Sequence, residues 1–213
     1  MEYFSMFRNS FNDCHYVSSD ELRKIIDSWT CFIKQFTNDG WDAYLVSVLF
    51  HRIAGPIETK KTQMNQEIER VYNRLGTRMV KDTWSPKWTH YLPIGVFLPD
   101  FPVPKRKGEK SSIEDVSIND GLHKGGIILA NKWGRVREGL ERHFGHEKEV
   151  YQTGKIRNIN IAPITHDLGD AVDYTFKSLK RRTCGLNDVQ VLSWGGSAPA
   201  AEATRRWMMR AFS

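Results

Sequence analysis

Apolar side chains recur at helical spacing in two long stretches of the chain. Residues 22–36 place large apolar side chains on one stripe, and they follow SSDE at 18–21, which has the pattern of a capping box. Residues 59–81 repeat the helical spacing with charged residues on the other side. The pattern therefore predicts two amphipathic helices, the first of them ended by the turn-forming NDG at 38–40.

Four other segments favour strands. Residues 41–53 (WDAYLVSVLFHRI) are β-branched and aromatic without a helical period, which is typical of a buried central strand. The others are 88–99, where prolines indicate an edge position, 120–130 (DGLHKGGIILA), and 156–164, where apolar residues alternate. Before the last of them, residues 135–144 are predicted to form a short helix with Val136, Leu140 and Phe144 facing inward.

In chain order, residues 41–164 give strand, helix, strand, strand, helix, strand. This order predicts an α+β fold of the ferredoxin-like, RRM-like kind, built on a split βαββαβ unit. Its first and third strands lie side by side in the centre of an antiparallel sheet, and both helices cover one face. An added N-terminal helix precedes the unit, and a helix carrying Tyr-x-x-Lys follows it. The alternative is a different α+β sandwich.

The chain is expected to form one main domain. Residues 18–182 are predicted to be a single α+β domain with a basic loop insertion at 100–119, preceded by an N-terminal arm at 1–17. Residues 183–213 form a C-terminal extension that contains a short strand-like VQVL. No apolar run approaches the ~20 residues of a membrane span. We therefore expect a soluble, cytoplasmic protein with no membrane partner.

The helix that follows the core unit carries the clearest candidate chemistry. Asp167 is placed as its N-cap, and a helix over about 168–181 would put three apolar residues on one stripe, Val172, Phe176 and Leu179. Tyr174 and Lys177 fall on the opposite stripe, one turn apart and facing outward.

This pairing suits a nucleophile that attacks phosphodiesters. A phenol has an ordinary pKa near ~10, so an adjacent ammonium helps it to ionise and can also neutralise charge on a phosphate. Tyr174 and Lys177 are therefore the candidate catalytic residues. The alternative is an ordinary solvated helix face.

The charge of the chain favours a polyanionic partner. There are 31 Lys and Arg against 25 Asp and Glu, a net charge of +6, and the seven tryptophans add surfaces on which single-stranded nucleic acid could stack. The basic residues predicted to contact a nucleic acid are Lys105, Arg106, Lys107, Lys124, Lys180, Arg181 and Arg182.

Histidines on the two predicted central strands are candidate metal ligands. His123 lies on the strand at 120–130, and Gly125 and Gly126 beside it leave room for a backbone or phosphate to approach. His51 lies on the neighbouring strand as a further candidate ligand. If this surface binds nucleic acid, the sheet face that bears His123 should be open and electropositive. The alternative is a structural histidine.

Together these features resemble the HUH endonucleases of rolling-circle replication initiators, relaxases and related transposases. The segment LVSVLF at 45–50 is similar to the first motif of that family, and Tyr174 with Lys177 matches the helix that carries its nucleophile. His123 stands where a metal-binding pair of histidines begins, but Gly125 replaces the second histidine.

The resemblance implies a function and leaves alternatives. Tyr174 would attack single-stranded or hairpin DNA to leave a 5′-phosphotyrosine link, and Lys177 would assist it. His123 would help to hold Mg²⁺ or Mn²⁺, which polarises the scissile phosphate. Because Gly125 has no side chain, either the metal has other ligands or catalysis is weak or lost. The alternatives are a non-catalytic nucleic-acid-binding module of the same fold and a structural or partner-binding protein.

Overall fold

A computed structural model describes residues 18–101 and 118–193 of the chain. The protein is α+β, with a five-stranded antiparallel sheet. The strands are β1 (Trp41–Phe50), β2 (Ile94–Asp100), β3 (His123–Asn131), β4 (Ile156–Pro163) and β5 (Gln190–Leu192). The helices are α1 (Ser19–Asn38), α2 (Ile57–Met79), α3 (Leu140–His146), α4 (Lys148–Tyr151), α5 (Leu168–Thr175) and α6 (Lys177–Lys180). Single 3₁₀ turns are formed by Thr89–Tyr91, Ile118–Gly121 and Leu186–Asp188.

Several predicted segments lie outside the described residues. They are the N-terminal arm at 1–17, most of the loop insertion at 102–117, and the end of the C-terminal extension at 194–213. The candidate phosphate contacts Lys105, Arg106 and Lys107 fall in the second of these segments. Among the described helices, none combines the length and the apolar character that crossing a membrane requires.

The start of α1 confirms the predicted capping box. The Ser18 hydroxyl accepts a hydrogen bond from the Glu21 amide at 3.2 Å, and the Glu21 carboxylate accepts one from the Ser18 amide at 2.8 Å. These two bonds satisfy backbone donors that a helix start leaves unpaired. The helix ends at Asn38, two residues before Gly40, which takes a φ of 87° that favours glycine.

The sheet has the strand order β4-β1-β3-β2-β5. The predicted pairing of the first and third strands is confirmed, since β1 and β3 are antiparallel neighbours with Ser47 opposite Gly125. The predicted edge position of β2 is wrong because β5, which comes from the C-terminal extension, pairs with residues 95–97. Pro99 is tolerated because it lies beyond the end of that short pairing.

Both faces of the sheet are covered by helices. On the first face, α2 and α3 pack over β1 and β3 in one apolar core, which confirms that these two helices share a face. On the second face, α1, α5 and α6 pack over Ile127 and Leu129 of β3 in another core. His123 shares the second face with Ile127 and Leu129, because side chains alternate along a strand. The expectation that this face is open is therefore wrong.

Two predicted helices differ from those observed. The helix expected over 168–181 consists of α5 and α6, separated at Phe176. The Thr175 hydroxyl donates a 2.8 Å hydrogen bond to the Ala171 carbonyl, a contact that often bends helices. The helix expected over 135–144 begins only at Leu140, because Gly139 has a φ of 82° and lies outside the helical region.

Candidate active site around Asp100

Asp100 is the centre of a polar cluster at one end of the sheet. It is the last residue of β2, lies directly opposite His123 on β3, and is 7% exposed. Its Oδ2 atom lies 2.7 Å from Lys177 Nζ and 3.2 Å from His123 Nε2, and its Oδ1 atom accepts a 3.0 Å hydrogen bond from Ser178 Oγ. Residues from β2, β3 and α6 thus converge on one carboxylate.

The neighbours of Asp100 decide its charge. Burial alone would raise the pKa of its carboxyl, but the hydrogen bonds and charges of His123 and Lys177 lower the pKa to about 2. Burial would likewise lower the pKa of Lys177, yet the Asp100 carboxylate and the Tyr174 phenol raise it above its ordinary value. At neutral pH the cluster therefore holds a carboxylate bound to an ammonium.

Tyr174 lies beside this ion pair, as the helical spacing predicts. Its side chain is 55% exposed, and Lys177 Nζ lies 3.8 Å from the centroid of its ring, within the range of a cation–π contact. On the other side of the helices, Val172, Phe176 and Leu179 are buried, which confirms the predicted apolar stripe. The phenol thus faces solvent with a fixed cation next to it.

His123 uses both of its ring nitrogens within the protein. Nδ1 lies 3.0 Å from the Gly121 carbonyl oxygen, and Nε2 lies 3.2 Å from Asp100 Oδ2. Both partners are acceptors, so both contacts are hydrogen bonds only when each nitrogen carries a proton. His123 is therefore held between the end of β2 and the turn that precedes β3.

His51 is not part of this cluster. It follows β1, and its side chain is exposed; its amide donates to the Lys155 carbonyl at 2.8 Å, and its carbonyl accepts from Asn119 Nδ2 at 3.0 Å. Over 18–101 and 118–193, no group of three or more His, Cys, Asp or Glu side chains is arranged to hold a metal ion.

The two glycines after His123 have different roles. A side chain at Gly126 would clash with the Phe97 ring and the Val96 carbonyl, so this glycine makes room for β2 and not for a ligand. A Cβ atom at Gly125 would lie 3.8 Å from the Asp100 side chain, which is an ordinary contact. The predicted bare surface is therefore confined to Gly125.

Of the described residues predicted to contact a nucleic acid, one is buried and three are exposed. Lys124 is fully buried because it points to the first face of the sheet, opposite to His123, and it cannot contact a phosphate at the surface as predicted. Among the described residues its ammonium has no hydrogen-bond partner, and burial lowers its pKa to about 8. Lys180, Arg181 and Arg182 are exposed at the end of α6, where Lys180 pairs with Asp173 at 2.7 Å.

Asp100 and Ser178 were not predicted from the sequence. Asp100 was assigned to the loop insertion, although a lone carboxylate at the end of the apolar run IGVFLPD is a signal that could have identified it. Ser178 directly follows Lys177, but only the fold shows that its hydroxyl reaches Asp100.

No protein family, curated protein or solved structure matches the chain. The function is therefore inferred from the positions and contacts of its own side chains.

Proposed function

We propose that this protein binds DNA and cleaves a single strand with Tyr174 as the nucleophile, in the manner of HUH-type replication initiators. One observation carries the proposal: the half-exposed Tyr174 ring lies 3.8 Å from the Lys177 ammonium, which Asp100 holds at 2.7 Å. A fixed cation beside a phenol can attract a phosphate to the attacking oxygen. Exposure of Tyr174 leaves room for a strand to approach.

The proposed step forms one bond and breaks one at the same phosphorus. The Tyr174 phenol loses its proton to solvent and its oxygen attacks the phosphorus, while the 3′-oxygen leaves and takes a proton from water. The 5′-phosphate remains attached to the tyrosine. Lys177 stabilises negative charge on the non-bridging oxygens, and Asp100 positions Lys177.

We infer a ferredoxin-like arrangement from the order β4-β1-β3-β2. In a split βαββαβ unit the first and third strands are central and both connecting helices lie on one face. The packing of α2 and α3 over one face supports this inference. Strand β5 and the helices of the second face would then be additions to the unit. Many functions occur on this arrangement, so cleavage is argued from the site alone.

The residues around His123 do not fit the divalent metal that the resemblance implies. Both ring nitrogens of His123 already lie within hydrogen-bond distance of protein oxygens, Nδ1 of the Gly121 carbonyl and Nε2 of Asp100. The Asp100 oxygen that would serve as a second ligand already contacts the Lys177 ammonium at 2.7 Å. Binding of Mg²⁺ or Mn²⁺ stays a prediction, and the cleavage step above uses only side chains of the chain.

The exposed basic residues at the end of α6 also favour a second candidate function, which is nucleic-acid binding without cleavage. Lys180, Arg181 and Arg182 follow Tyr174 and Lys177 closely along the chain, and their positive charge suits a phosphate whether or not bonds are broken.

Incubation of the protein with labelled single-stranded and hairpin DNA tests the two functions. The assay is run with Mg²⁺, with Mn²⁺ and with a chelator, and the measurement is a covalent adduct that survives SDS. Cleavage predicts an adduct with wild type and none with Tyr174→Phe. Binding without an adduct under every condition would favour the non-catalytic module.

A further inference from the structure

Two tryptophans lie almost entirely in solvent. Trp84 is 83% exposed and Trp133 is 79% exposed, whereas Trp29 and Trp41 are buried in the second core. A large aromatic side chain left in water forgoes the burial free energy that most tryptophans obtain. Two such side chains left exposed therefore indicate a surface that contacts something else.

The two side chains lie in connections that meet at the end of α2. Trp84 lies in the connection between α2 and β2, and Trp133 lies in the connection between β3 and α3. These connections dock on each other, since the Arg135 amide donates a 2.8 Å hydrogen bond to the Met79 carbonyl at the end of α2. We call residues 81–87 and 132–137 the tryptophan surface.

The tryptophan surface carries more basic than acidic residues. Asp82 is the acidic residue within it, Asp42 lies 3.4 Å from Lys132, and Glu138 follows Arg137. All of the charged residues in the two segments are exposed. The five basic residues around the two rings are Lys81, Lys87, Lys132, Arg135 and Arg137. Aromatic rings interleaved with cations match the bases and phosphates of a single strand, because every base has a face that can stack.

We propose that the tryptophan surface binds single-stranded nucleic acid, with bases stacked on Trp84 and Trp133 and phosphates held by the basic side chains. Charged residues flank each tryptophan along the chain. Binding to a lipid surface would instead require a continuous apolar face. The inference rests on the proposed function for its class of partner, but it does not require Tyr174 to react.

The surface lies far from Asp100. It is at the Asn131 end of β3, whereas His123 begins that strand, so the two ends are separated by roughly 26 Å at the usual rise of a strand. A stacked strand with a rise of 3.4 Å covers that distance in roughly eight nucleotides. The tryptophan surface would therefore hold a flanking part of a strand whose scissile phosphate lies at Tyr174.

Binding of fluorescently labelled oligothymidylates to the full chain tests the proposal. Trp84→Ala and Trp133→Ala should each weaken binding about 5- to 150-fold, which corresponds to the loss of one base–aromatic stack. Lys132→Gln and Arg135→Gln should each reduce the slope of log affinity against log salt by about 0.7. Thermal melting of each variant checks that it is folded.

Matched controls make the outcome specific. Ile57→Ala removes another exposed apolar side chain, at the start of α2, and Lys24→Gln removes an exposed cation on α1; neither should change affinity. Unchanged affinity of the Trp84→Ala and Trp133→Ala double variant overturns the proposal. Loss of binding to anionic lipid vesicles by that variant, with oligothymidylate binding retained, overturns it in favour of a membrane surface.

The binding assay and the adduct assay can refute the two proposals independently of each other. Tyr174→Phe should bind oligothymidylate like wild type and should show the same loss when the tryptophans are replaced. If wild type binds through the tryptophans but forms no adduct, the tryptophan surface stands and the cleavage function is wrong. If an adduct forms equally well with and without the tryptophans on long and short strands, the tryptophan surface is wrong and cleavage stands.

Discussion

Replacing Asp100 with asparagine removes the charge on which the cluster depends and keeps its shape. In the wild type, the pKa of Asp100 falls from 3.8 to about 2 on folding. Each unit of such a shift is worth about 1.4 kcal/mol, so the carboxylate contributes about 2 kcal/mol to folding at neutral pH. Asp100→Asn should lower the free energy of unfolding at pH 7 by about that amount.

The effect should depend on pH in a defined direction. Because folding depresses the pKa of Asp100, its contribution is fully present above the unfolded pKa of 3.8 and is lost as pH falls toward about 2. At about pH 2 half of the wild-type carboxyl is protonated in the folded protein, so most of the difference between the two proteins should be gone and the rest should vanish below that pH. Urea unfolding of both proteins from pH 7 down to the lowest pH at which they fold measures this difference.

A matched control separates burial from charge. Asp173 forms a 2.7 Å ion pair with Lys180, but both side chains are about half exposed, so Asp173→Asn should cost less than about 1 kcal/mol at any pH. A loss for Asp100→Asn that is the same at pH 7 and pH 3 would refute the reasoning. So would equal losses for the two variants at pH 7.

Four other predictions test the site and the fold. Tyr174→Phe should keep stability and DNA affinity while the adduct disappears in the SDS assay, because only the attacking oxygen is lost. Leu140→Ala and Phe144→Ala should each destabilise by ~2–5 kcal/mol in urea, since both side chains are buried in the first core; losses under ~0.5 kcal/mol at both would contradict the packing. Gly126→Ala should destabilise by ~1–3 kcal/mol because its methyl group meets Phe97, and an unchanged melting curve would argue against that contact. Wild type should gain stability as pH rises from about 8 toward 10.5, by up to about 3 kcal/mol, as the buried Lys124 loses its charge; Lys124→Met should abolish that gain.

Features with a local cause were predicted well from the sequence. The capping box at Ser18 and the N-cap at Asp167 depend on residues three or fewer positions away, and both are observed. The spacing of Tyr174 and Lys177 on a helix likewise brought their side chains into contact. The two caps needed only the geometry of one helix end, and the contact between Tyr174 and Lys177 forms although the helix is interrupted at Phe176 between them.

Features that depend on strand register were not predicted. Asp100 and His123 are 23 positions apart, and only the pairing of β2 with β3 places them opposite each other. A shift of the strand register by one residue would have put Lys124 on the second face of the sheet and His123 on the first face. The buried position of Lys124 could therefore not be predicted. The short β5 strand lies within the segment VQVL that was predicted to be strand-like, but its pairing with β2 was not predicted.

The chain leaves the described part of the sheet just after Asp100 and returns to it just before His123. Residues 102–117 join Phe101 to Ile118, beyond the last pairing of β2 with β3, in which Asp100 faces His123. Insertions and deletions in that segment change no strand register, and doubling a loop costs only about 0.6 kcal/mol in closure entropy. The facing positions of Asp100 and His123 are therefore set by the pairing of β2 with β3, and the chain that joins the two strands can change in length at little cost to that pairing.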